Sequence, residues 1–225
     1  MKDGRRRRLP IFPLPGVIFF PQTDLPLHVF EPRYRTLLAD ALVGDRTIGI
    51  QLLKPDAPPD SAGRPAVFEI GCAGEIVEHE ALEDGRSNIL LRGLFRYRLE
   101  AEAPDDRPYR VADVVPLSVV PLPGDLEGNP VRDGLRGLLV RSVEKLAVSV
   151  GRPQARSLPE DLNDEGLVNE ALSRLGLDAD DGYKLLAMDR LEDRYSWAVS
   201  HIAGIQKRVD LLAPYRQGDG DPRWN

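Results

Sequence analysis

LPIFPLPGVIFFPQTDLPLHVFEPRY, residues 9–34, decides how the first half of the chain is built. Short apolar pieces, Ile11-Phe12, Val17 to Phe20 and Leu25 to Val29, alternate with Pro10, Pro13, Pro15, Pro21 and Pro26. Proline has no N–H to give to a sheet ladder, so each piece is expected as a short, edge-like or bulged strand. At Glu31 the pattern changes. Pro32 suits the first turn of a helix, where its missing N–H would lack a partner anyway. Leu37, Leu38, Ala41 and Leu42 then make an apolar stripe, and Gly44 supplies a stop. The spacing predicts a helix from Glu31 to about Val43.

Beyond this block, Thr47 to Leu53 reads as a strand and residues 54–65 as a Pro-, Asp- and Gly-rich loop. Val67 to Ala81 is a long β-type stretch, Asp84-Gly85 is a hairpin turn signal, and Asn88 to Ala103 is its partner. Within that partner Phe95, Tyr97 and Leu99 alternate with Arg96, Arg98 and Glu100, the period of a half-buried strand. Tyr109 to Val120 gives one more strand. Several short strands, one early helix and no βαβ rhythm indicate a small barrel or folded sheet. After a Pro/Gly linker at 121–129 the pattern becomes helical. Asn129-Pro130 opens a helix with Leu135, Leu138, Leu139, Val143 and Leu146 on one face. Asn163 caps a second helix, closed by Gly176, and Asp178 starts a third. Asp189 with Glu192 resembles a capping box for a fourth, whose buried stripe runs from Tyr195 to Leu212. The expected class is α+β, with a β-rich unit over 8–122 and a helical bundle over 129–214. Residues 1–7 and 217–225 are expected to lack fixed structure.

Charge and composition exclude several function classes. The net charge is −6, with 16 basic and 18 acidic residues up to Leu122 and 14 and 18 after it. Neither half is a polycation, which argues against nucleic acid as the partner. Cys72 is the single cysteine, so no internal disulfide forms, which fits a reducing cytoplasm. Prolines interrupt the apolar stretch after Arg5 to Arg8, unlike a secretory signal, and no run of about 18 apolar residues suggests a membrane span.

The first block also carries a family pattern. Leu9 to Leu14, then Phe20-Pro21, then Leu25 to Tyr34 resembles the opening of the Lon protease N-terminal domain. Ile70 to Ile76 is similar to that family's central strand, and Leu91 to Tyr97 to the strand with its small-residue kink. Leu185-Leu186, Asp189, Leu191, Arg194 and Tyr195 match the spacing of its helix junction. The resemblance covers Leu9 to Leu212. It implies a PUA-like pseudobarrel followed by a helical bundle, and a module that binds unfolded or partly unfolded protein segments, with a protease or chaperone as partner. No Gly-x-x-x-x-Gly-Lys-Ser/Thr loop for phosphate is present in the sequence. A stand-alone, non-catalytic, cytoplasmic member without cofactor is the expectation, and Met1 and the polar end suit a natural chain. The oligomeric state stays open.

Phe12, Phe19, Phe20 and Phe30 read first as core, with one or two of them lining a groove as the alternative. The candidate peptide-binding set is Phe20, Phe30, Glu31, Arg33 and Tyr34, which adjoin in sequence. Glu31 and Arg33 also have ordinary readings, as a favourable charge at a helix start and as a structural ion pair. Gly71, Gly74 and Gly93 inside strand patterns mark curvature or a close backbone approach. The alternative is an RNA-binding PUA-like module using Arg96 and Arg98, which the two-residue period places on one face. Cys72 sits between Gly71 and Ala73 and reads as a buried structural thiol. Its odd spacing to His79 puts the two on opposite strand faces, and with His28 and His201 it forms no recognised nucleophile or zinc pattern. No catalytic residue and no metal ligand is assigned.

Overall fold

A computed structural model of the chain describes residues 6–60, 63–103, 106–122, 129–149, 158, 159 and 161–216. It contains β1 (Arg7–Leu14), β2 (Asp24–Val29), α1 (Pro32–Val43), β3 (Thr47–Leu52), β4 (Ile70–Ala81), β5 (Ser87–Glu102) and β6 (Arg110–Pro116). The helices α2 (Pro130–Ser149), α3 (Asp164–Ser173), α4 (Ala179–Ala187) and α5 (Leu191–Arg216) follow. Arg7, expected to lack fixed structure, belongs to β1 and pairs with Val114. The tails 1–5 and 217–225 lie outside the described residues, as do 123–128 and 150–157 of the expected linker and loop. Two compact units result, residues 1–120 with 176–189, and residues 121–175 with 190–225.

In the first unit the strand order is β2-β5-β4-β3-β1-β6, and β6 also pairs with β5, so five strands close into a ring with β2 on its outside. All pairs are antiparallel except β1 with β3, where Phe12 faces Ile50. Parallel neighbours need a crossover, and β2 with α1 provides it. Leu9, Ile11, Ala73, Tyr97, Ala112 and Val114 form a buried cluster of the barrel. The Tyr97 hydroxyl donates to Gln51 Oε1 at 2.6 Å, and Gln51 Nε2 donates to the Phe68 carbonyl at 2.5 Å, so the polar atoms there are satisfied.

The in-strand glycines answer to the chain itself. A Cβ at residue 74 would lie 2.6 Å from the Phe19 ring, and one at 93 would meet the Phe20 carbonyl. The Gln22 N–H donates to the Gly93 carbonyl at 2.8 Å and the Gly93 N–H donates to Thr23 at 2.9 Å. The turn after Phe20 therefore lies flat on β5. Between Ala73–Phe95 and Gly74–Gly93 the register shifts by one residue, and Leu94 bulges out.

The expected single break between sheet and helices does not hold for α4, which lies in the barrel unit. Gly182 admits Ile18 against the helix, and Tyr183 packs its ring 4.2 Å from Phe68. Arg96 fixes the helix end. Its guanidinium donates to the carbonyls of Leu186 (2.8 Å), Met188 (2.9 Å) and Ser118 (3.0 Å), and to Asp189 Oδ1 (3.0 Å). A helix C-terminus leaves carbonyls unpaired and carries partial negative charge, so a cation there is favoured. Asp189 thus serves Arg96, and α5 begins at Leu191 without the expected capping box.

In the second unit α2, α3 and α5 pack around Leu139, Val143, Leu167, Leu172, Tyr195 and Ile202. Asn163 caps α3, accepting from Gly166 N at 2.8 Å. Asp164 binds Arg132 (2.8 Å) and Arg136 (2.6 Å), and the Tyr195 hydroxyl donates to the Asp164 carbonyl. Leu138 and Leu212, expected inside the apolar stripes, are instead exposed.

Candidate functional site

A cleft of about 880 Å³ opens in the barrel unit. Its walls come from the end of β1, the start of α1, the loop around Arg64, and residues 102, 103 and 106–111. The pairing of Ile11 with Arg110 explains the meeting, because it sets the entry of β6 beside Phe12. Phe12 and Tyr34 stack with centroids 4.0 Å apart and planes at 24°. The Arg33 guanidinium lies 4.7 Å from the Tyr34 ring centre, making an outer third layer. The ring pair contributes about 0.5–1.5 kcal/mol beyond its burial, and an exposed cation over a ring about 0.5–1 kcal/mol. Glu31 starts α1 but makes no side-chain cap. Its carboxylate accepts from Arg33 at 2.9 Å and so holds that layer.

On the other wall the Tyr109 hydroxyl donates to Asp40 of α1 at 2.5 Å and accepts from Arg107 at 3.0 Å. Burial pushes the Tyr109 phenol up, and Asp40 adds to this against Arg107. Burial likewise raises Tyr34, with Arg33 opposing. Both phenols therefore remain neutral donors near pH 7. Arg110 is bound to Glu102, and Arg64 reaches Glu102 at 2.9 Å and Asp60 at 2.8 Å. Glu31 thus holds Arg33, and Glu102 holds both Arg64 and Arg110, around an aromatic and proline surface that Asp106 and Arg107 also line. Among the described residues no serine, cysteine, histidine or lysine lines it. The arrangement suits apolar and main-chain contacts with another chain better than attraction of a polyanion.

The model of the ATP-dependent protease La (LON) substrate-binding domain matches residues 8–204. The chain belongs to this family. A Lon protease of Cytophaga hutchinsonii is 25% identical over 211 residues, 93% of this chain and 25% of that protein. One from Syntrophomonas wolfei is 32% identical over 103 residues, 46% of this chain and 12% of the relative. The chain spans about a quarter or less of these relatives. A solved Lon N-terminal domain protein from Xanthomonas campestris superposes with a TM-score of 0.61 at 23% identity, covering 86% of this chain and 98% of that one. The N-terminal domain of a Mycobacterium avium complex Lon protease gives 0.61 at 14% identity, with 88% and 98% covered. The α+β architecture of the Lon substrate-binding domain is thereby established for this chain.

Within this Lon-type frame, Glu31, Arg33 and Tyr34 come together at the cleft. Phe30 is 58% exposed at the end of β2 but does not line it. Phe20 is 2% exposed and belongs to the core, so it offers no surface to a partner. Phe12 and Tyr34 line the cleft but are themselves largely buried, so their rings form its floor and Arg33, about half exposed, is the layer that meets solvent. Arg107, Tyr109 and Arg110 carry no sequence signal as cleft residues, since they lie far from residue 34 in the chain and the β1–β6 pairing brings them there. The Arg96 and Arg98 face does not form. Arg96 is 1% exposed because α4 covers it, while Arg98 is exposed and binds Glu100 at 2.9 Å. Cys72 is fully buried. Among the described residues no helix is long and apolar enough to cross a membrane.

Proposed function

We propose that this Lon substrate-binding domain holds extended or partly unfolded protein segments in the barrel cleft, performs no bond chemistry, and acts as a cytoplasmic adaptor in protein quality control alongside a protease or chaperone. One observation carries the reading: Arg33, held by Glu31 and layered on the largely buried Tyr34 and Phe12 rings, stands at a cleft where Arg64 and Arg110 are bound to Glu102. A client side chain gains apolar contact there at roughly 25 cal/mol per Å² of buried area, before association costs. Exposed Phe30, next in sequence to Glu31, extends the apolar surface at the start of α1.

Fluorescence anisotropy of a labelled, permanently unfolded reporter protein, titrated with the full chain, tests the proposal. Arg33→Ser and Phe30→Ser are expected to weaken binding several-fold each while the circular dichroism spectrum is retained. Affinity untouched by both, together with a steep loss of RNA binding with salt, would favour the nucleic-acid alternative. Fragmentation of the reporter by purified protein, abolished by one side-chain replacement, would refute the absence of chemistry.

A further inference from the structure

The helical unit carries a second concavity, independent of the barrel cleft. A groove of about 590 Å³ runs between α2 and α5. Leu138, Arg141 and Lys145 line it from α2, at spacings that share one helix face. Ile202, Lys207 and Leu211 line it from α5. Ile202 is buried at the base, whereas Leu138 is 43% and Leu211 64% exposed. The seam between the helices therefore continues into solvent with its leucines uncovered.

The charge around these leucines is one-sided. Among the described lining residues Arg141 and Lys207, with Lys145 on the α2 side, face the groove against the carboxylate of Asp210, in a chain whose net charge is −6. Several other arginines of this unit are matched: Arg132 and Arg136 to Asp164, Arg174 to Glu170, and Arg190 to Glu192. Among the described residues Arg141 and Lys207 stand in no ion pair. Ser142 is committed locally, its hydroxyl donating to the Leu138 carbonyl at 2.8 Å. Among the described residues the groove combines an apolar floor with cationic banks.

We propose that this groove docks a short amphipathic helical segment of a partner protein, leucine-rich on one face and acidic along its flanks. The α2 wall from Leu138 to Lys145 spans about 10 Å at 1.5 Å per residue, which matches about two turns of a docked helix. A helix in such a groove anchors through residues at positions i, i+3, i+4 and i+7. Acidic flanks meet Arg141 and Lys207, giving orientation and a faster encounter. A second copy fits less well. A two-fold contact of this patch with itself would oppose cation to cation.

Two fluorescein-labelled helical peptides of about 14 residues test the assignment, alike in their leucine stripe but bearing glutamate or lysine flanks. Anisotropy at low salt is expected to show the glutamate peptide binding at least about tenfold more tightly. The double variant Arg141→Glu/Lys207→Glu should invert that preference, and Leu211→Asp should weaken both peptides. These side chains are exposed, so folding is expected to survive, and circular dichroism checks it. Equal binding of the two peptides, no binding of either, or a preference unmoved by charge reversal overturns the proposal. So does a dimer in sedimentation that Leu211→Asp dissolves, which would give the groove to a second copy. Binding of the unfolded reporter to the barrel cleft should not change in these variants, so the two readings fail separately.

Discussion

Replacing Arg96 with Met keeps most of the side-chain length but removes the four Arg96 hydrogen bonds at the end of α4, leaving the Val120 N–H on the Asp189 carbonyl. The carbonyls of Leu186, Met188 and Ser118 lose their donor in a site where Arg96 is 1% exposed. The ion pair with Asp189 counts for little, because that carboxylate is 61% exposed and water replaces the partner. The cost lies in stranded carbonyls and the lost charged donor, each charged hydrogen bond contributing about 1.5–3 kcal/mol. Such terms are not additive and the Met methyl refills part of the space, so Arg96→Met is expected to destabilise the barrel unit by about 3–5 kcal/mol. Asp189→Asn should cost below about 1 kcal/mol. Trp197 lies in the other unit, so its fluorescence is a poor reporter. Hydrogen exchange over residues 176–189, with urea unfolding followed by circular dichroism, reads the effect directly. Amides of α4 should exchange at least about a hundredfold faster in Arg96→Met, with those of α3 unchanged. Equal losses from Arg96→Met and Asp189→Asn, or α4 protection that survives the loss of Arg96, would refute the reasoning.

Gly93→Ala drives a methyl into the Phe20 carbonyl and to within 2.9 Å of the Pro21 Cα, both backbone, so the turn must move. A loss of about 2–3 kcal/mol in urea unfolding is expected, and a neutral outcome would show that the turn yields easily. Asp164 is subject to burial, which raises its pKa, but its bonds to Arg132 and Arg136 prevail and hold the carboxyl below its ordinary value. A depressed folded pKa stabilises fully above the unfolded value of about 3.9 and fades as pH falls through the folded one. Asp164→Asn should therefore lower stability near pH 7 by about 1–3 kcal/mol and flatten the loss on acidification below about pH 4. Parallel acid-unfolding curves for the two proteins would contradict this.

Local chemistry was legible residue by residue. Pro32 and Gly44 bound α1, Asp84-Gly85 turns the β4–β5 hairpin, and Asn163 and Asp178 cap their helices as their side chains suggest. The strand period placed Tyr97 inside and Arg98 outside. Along α2 and α5 the helical period was less informative. Leu138 and Leu212 continue the apolar stripes beyond the helix contact that buries Leu139 and Ile202.

What the amino-acid order determined by itself was each segment's state and the sides of it that favour apolar surroundings, because both depend on neighbours within a few residues. Tertiary structure alone decided which polar side would be covered and which distant segments would meet. Arg96 shares its strand face with Arg98, yet a helix about ninety residues later in the chain buries one and leaves the other in water. Phe12 became the cleft ring and Phe20 a core residue because β6 entered beside β1 and the turn after Phe20 closed onto Gly93. Those outcomes follow from ring closure and helix docking, contacts whose partners lie too far apart in sequence to leave a periodic trace.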